Sequence, residues 1–73
     1  MENNVFAERL NEIMNRKHFT SGMLSIKTGI SERMIRKYRK GESYPSGYSL
    51  QQIAYGLGVS VDWLIGNDKQ NGG

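Results

Sequence analysis

Apolar residues return along this chain at helical intervals, in short runs set off by small polar residues and glycines. Phe6, Leu10, Ile13 and Met14 stand at i, i+4, i+7 and i+8, one stripe of a helix over Val5–Arg16. Asn3 or Asn4 can cap its start. Glu8 and Glu12 lie early in it and Arg16 and Lys17 late, the order that suits a helix dipole. Thr20 is the next cap. A short second helix over Ser21–Thr28 turns Leu24 and Thr28 inward, with Gly22 as a weak point near its start. Gly29 stands where a left-handed residue ends a helix, and Ile30 re-enters the core.

Ser31 caps a third helix, Glu32 to about Lys40, whose apolar side is only Ile35 and Tyr38; Gly41 ends it. Pro45 biases Tyr44 to an extended conformation. Ser46 caps a fourth helix over Gly47–Gly56, with Leu50, Ile53, Ala54 and Leu57 at the spacing of a buried face, and Gly58 breaks it. Ser60 caps a last short helix, Val61–Ile65, with Asp62 in its first turn and Gly66 after it. Neither a strand alternation nor an internal repeat is visible. The pattern predicts an all-α fold: a compact bundle of five helices over residues 1–66, followed by a flexible polar tail, 67–73.

Composition narrows the chemistry. A chain of 73 residues holds one domain, and a core of that size leaves roughly 3–5 kcal/mol of net stability. Without cysteine there is no disulfide and no thiolate metal site. The single histidine, His18, falls near the end of the first helix and reads as a surface residue compatible with its dipole. No nucleophile–base pair can be built around it. No metal, cofactor or small-molecule substrate is therefore expected, and no enzymatic activity. The longest uncharged stretch, Ser43 to Val61, is polar and glycine-rich, so no membrane partner is expected. The acidic, polar start is unlike a secretory signal, and the expected location is cytoplasmic.

Charge changes the picture most. Nine of the ten basic residues lie between Arg9 and Lys40, where the only acids are Glu12 and Glu32, a local balance of +7. From Gly41 to Asp68 the balance is −3. Five cations fall within the eight positions from Arg33 to Lys40. A basic half on a small domain is the footprint of a polyanion partner.

The cations coincide with a recognisable unit. Two short helices meet at Gly29-Ile30-Ser31; Ser25 is small where they press together, and Ile35 fills the space beneath. This is a helix-turn-helix arrangement, whose second helix enters a DNA major groove. By spacing, Glu32, Arg33, Arg36 and Lys37 face base edges. Arg33 or Arg36 can bond guanine O6 and N7, and Glu32 can accept from cytosine N4. Thr20, Ser21, Lys40 and Ser43 suit phosphate contacts, which position without specifying. Tyr38 belongs to the core. Trp63 reads as core or as a dimer contact, and Met23 and Ile26 as a small, partly buried apolar edge or a protein contact.

From Phe6 to Gly66 the chain resembles the lambda-repressor-like, Cro/repressor-type (XRE) helix-turn-helix domains. The resemblance rests on Phe6-Ala7-Glu8-Arg9-Leu10, on Gly29-Ile30-Ser31 with Ile35, Tyr38, Gly41 and Pro45, and on Leu50, Ile53-Ala54 and Leu57-Gly58-Val59-Ser60. It ends in Asp62-Trp63-Leu64-Ile65-Gly66. It implies a five-helix fold and sequence-specific binding of double-stranded DNA, as a homodimer that regulates transcription, with a phage- or mobile-element-type repressor as the nearest type. The alternative is an antitoxin-like module that uses the helix-turn-helix as a protein-binding scaffold. The region Gly56–Ile65 is the expected dimer contact, being apolar and without a cation.

Three departures from the family stand out, over four positions. Ser21 replaces the Gln that commonly touches phosphate. Met14 and Arg39 replace a common Arg and Glu ion pair, so Met14 is expected to pack inward. Arg39 is then expected at the surface, on a DNA phosphate or on Glu42. Gly47 replaces an apolar residue, weakening the start of the fourth helix by roughly 0.5–1 kcal/mol.

Overall fold

A computed structural model describes residues 4–67. Five helices follow one another: α1 Val5–Arg16, α2 Ser21–Thr28, α3 Glu32–Lys40, α4 Gly47–Leu57 and α5 Val61–Ile65. There is no strand among the described residues. Every helix but α4 ends where the sequence pattern places it. α4 runs one residue further, to Leu57, because the left-handed turn falls on Gly58 (φ 73°). Positions 68–73 of the expected tail lie outside the described residues. Asn67 still belongs to the α5 cap, its N–H donating to Asp62 O at 2.8 Å.

All five helices start in the same way. The side chains of Asn4, Thr20, Ser31, Ser46 and Ser60 accept from the N–H groups of Ala7, Met23, Met34, Ser49 and Trp63. Each bond satisfies one of the donors a helix N-terminus leaves without a partner, worth about 1 kcal/mol. The ends are less uniform. α2 to α5 stop at left-handed glycines, but α1 stops at His18 (φ 61°). There Phe19 N–H closes back onto Met14 O at 2.8 Å. Histidine enters this region more readily than most residues that carry a Cβ. His18 is exposed, as expected, but its backbone role was not foreseen.

The stripes converge on one core. Phe6, Leu10, Ile13 and Met14 of α1 meet Leu24 of α2, Ile35 and Tyr38 of α3, Leu50, Ile53, Ala54 and Leu57 of α4, and Leu64 of α5. Met14 is fully buried, as its spacing predicts. Tyr38 packs edge-on to Phe6, with ring centroids 6.1 Å apart. α1 lies against α3 and α5, and α2 against α3 and α4. At Gly66 (φ 83°) a Cβ would stand 2.8 Å from Val5 Cγ1, so α5 ends tight against the start of α1. At Gly56 a Cβ would stand 3.2 Å from Thr28 Cγ2, so this glycine sets the close approach of α4 to α2.

Candidate nucleic-acid interface

α2 and α3 are held at their angle by the turn between them. Gly29 takes the left-handed conformation (φ 78°) that reverses the chain. Two hydroxyls then fasten the turn. Ser25 Oγ donates to Ile30 O at 2.6 Å. Thr28 Oγ1 donates to Leu24 O at 2.8 Å and accepts from Ile30 N–H at 3.1 Å. Leu24 and Ile35 fill the space beneath and are fully buried. Sequence reading assigns Ser25 its small size and misses its bond, because the acceptor is a backbone atom across the turn.

α3 presents one side to the core and the rest to solvent. Glu32, Arg33, Arg36 and Lys40 are exposed, and Lys37 is half-buried. Glu32 bridges Arg36 at 2.7 Å, with both side chains about half exposed. Such an i,i+4 pair is worth about 0.3–0.5 kcal/mol, little enough for a phosphate or base edge to displace it. The same carboxylate lies over the start of α2, where a Cβ on Gly22 would meet Glu32 Oε1 at 3.5 Å. That places the carboxylate beside the positive end of α2.

Thr20 and Ser21 sit at the α2 N-terminus. Thr20 is exposed, and its Oγ1 caps the helix at 3.1 Å from Met23 N. Ser21 is only 8% exposed, and its hydroxyl accepts from Arg39 Nη1 at 2.9 Å. Ser43 is half-buried in the loop after α3.

Arg39 finds partners within the chain that the sequence does not suggest. Its Nε donates to Asn11 Oδ1 at 2.6 Å, while Asn11 Nδ2 donates to Arg39 O at 2.9 Å and to Ala7 O at 3.0 Å. Glu42 is not among its partners. The guanidinium folds back over α1 and α2 because Asn11, one turn before Met14, supplies an oxygen within reach.

Two further expectations change in space. Ile26 is not a partly buried edge: it is 86% exposed, and Met23 is 45% exposed. α2 turns Leu24 inward, which leaves both neighbours on its outer side. The Gly56–Ile65 region has no cation in its sequence, yet α1 brings one to it. Arg9 stacks over the Trp63 ring at 4.9 Å and donates to Trp63 O at 2.6 Å.

Comparison with known proteins agrees with this geometry. The helix-turn-helix family matches residues 10–64. A Haemophilus influenzae protein named as an uncharacterized HTH-type transcriptional regulator is 37% identical over 59 residues, 81% of this chain. The chain spans about a quarter of that relative's length, 24%. No solved structure matches. The two halves of the motif, the hydroxyl-fastened turn and the cationic outer face of α3 are the parts this match covers, and the chain belongs to the XRE-type, Cro/repressor-like helix-turn-helix family.

Proposed function

We propose that this domain binds double-stranded DNA sequence-specifically, with α3 in the major groove, and regulates transcription as a repressor of the phage or mobile-element type. The observation that carries the reading is the outer face of α3. Arg33, Arg36 and Lys40 are exposed on a helix whose two inward residues, Ile35 and Tyr38, are buried. Arg33 and Arg36 read base edges, with Glu32 and Lys37 beside them. Thr20, Lys40, Ser43 and the first turn of α2 hold phosphates. The bound form is a homodimer in the cytoplasm, with half-sites about 10–10.5 bp apart on one face of the duplex. The reading calls for no catalytic step.

A second reading, a protein-binding module built on the same scaffold, is favoured by the exposed Met23 and Ile26. Selection from random duplex DNA, followed by titration across salt concentrations, separates the two. The DNA reading expects an enriched, two-fold sequence and an affinity that falls steeply with salt. Absence of both, with a soluble folded protein, would overturn it.

A further inference from the structure

At the last turn of α3 a cleft of about 270 Å³ is lined by Asn11, Ser21, Arg36, Arg39 and Lys40. Three of these are cations and none is an acid. Arg39 forms part of its wall, half-buried. Both hydrogen bonds of its guanidinium go to neutral oxygens, Asn11 Oδ1 and Ser21 Oγ. A guanidinium has five N–H donors and does not lose its proton, so three donors and the full charge remain. Arg36 is neutralised only by an exposed bridge to Glu32, which is easily exchanged. The first N–H groups of α2, beside Ser21, have no acceptor within their own helix.

We propose that this cleft binds one phosphate group, supplied by the DNA backbone, with Arg39 as its main ligand and Lys40 beside it. The proposal rests on the DNA-binding reading above. Asn11 and Ser21 are positioning residues. They fix the planar fork of Arg39 at the junction of α1, α2 and α3, so that little side-chain freedom is lost when the phosphate arrives. The contact clamps the same three helices that set the angle of α3, so it orients the reading helix without specifying a base.

The test uses the full chain and its selected operator, with each backbone phosphate replaced in turn by an uncharged methylphosphonate. Wild type should lose affinity at one phosphate per half-site, and Arg39→Gln should be indifferent there. Arg39→Gln, present in both subunits of the bound dimer, should also reduce the slope of log K against log salt by about 1.8, so its affinity falls about 12-fold less between 50 and 200 mM salt. Its base preferences should be unchanged. Thermal unfolding in inorganic phosphate, against chloride at equal ionic strength, forms the second arm. Protection of wild type but not of Arg39→Gln, with a silent methylphosphonate scan, would overturn the DNA source and leave free phosphate as the ligand. A silent scan with no protection would overturn the cleft altogether while wild type still bound its operator. If wild type bound no DNA, the function above would fail and the unfolding arm would decide the cleft alone. Should Arg39→Gln lose its unfolding transition, Ser21→Ala carries the test. It frees one bond to the guanidinium and should shrink the methylphosphonate penalty at that phosphate; an unchanged penalty would overturn the proposal.

Discussion

α3 and α4 begin and end alike, each with a serine cap and a left-handed glycine, yet they are held in place by different means. α4 buries Leu50, Ile53, Ala54 and Leu57 along eleven residues and carries no charge. α3 buries only Ile35 and Tyr38 among nine residues and carries five cations. Between its caps, hydrophobic burial holds α4 against its neighbours. α3 is fastened at both ends by polar bonds from its neighbours: the Ser25 and Thr28 hydroxyls at the turn, and the Asn11–Arg39–Ser21 bonds at its last turn. Anchoring by its ends leaves most of the helix surface open to a partner, which a four-residue apolar stripe would not.

The contrast can be broken most strongly in α4. Ile53→Ala removes a fully buried side chain and should cost about 2–5 kcal/mol in urea unfolding. Arg33→Ala should stay within about 0.5 kcal/mol of wild-type stability but weaken operator binding by about 1–3 kcal/mol, relaxing preference at one base pair. Equal losses on every sequence would remove Arg33 from the base-reading set. Next comes the seam between the two halves. Gly56→Val would press on Thr28 and Leu24 and should cost roughly 1–3 kcal/mol through overpacking. A variant as stable as wild type would show that α4 does not close on α2 as described. The smallest effect is a gain. A Cβ on Gly47 meets nothing within 4 Å, so Gly47→Ala should add about 0.4–1 kcal/mol by reducing the freedom of the unfolded chain. Its DNA affinity should not change, a point checked by repeating the operator titration.

What the sequence discloses follows the same division. The caps Asn4, Thr20, Ser31, Ser46 and Ser60 and the stripe of α4 are local signals, read within a few residues. The end of α3 is not local. Asn11, Ser21 and Arg39 lie 28 and 18 positions apart along their bonded pairs, and no spacing rule joins them. Losing the common ion pair at Met14 and Arg39 suggested a freed arginine; that Asn11 would catch it depends on the crossing of α1 and α3. Arg9 is similar, since only the fold carries it onto Trp63, 54 residues on. The exposure of Ile26 follows from a choice of face on a helix of two turns, where only Leu24 and Thr28 mark the inner side.

The seam of α1 with α5 has a kinetic consequence. The other packed pairs join helices that are consecutive or one apart in the chain, whereas Val5 with Gly66 and Arg9 with Trp63 close nearly the whole described chain upon itself. Closure entropy rises by only about 0.6 kcal/mol for each doubling of loop length, so the seam is affordable, but contacts between distant residues are gained after local ones. Formed late, it would act on the rate of leaving the native state more than on the rate of reaching it. Trp63→Ala is then expected to steepen neither arm of a denaturant chevron, but to raise the unfolding arm while the folding arm stays in place. Held by that latch, a domain assembled from neighbouring helices would owe its lifetime to the seam between its first and last helices.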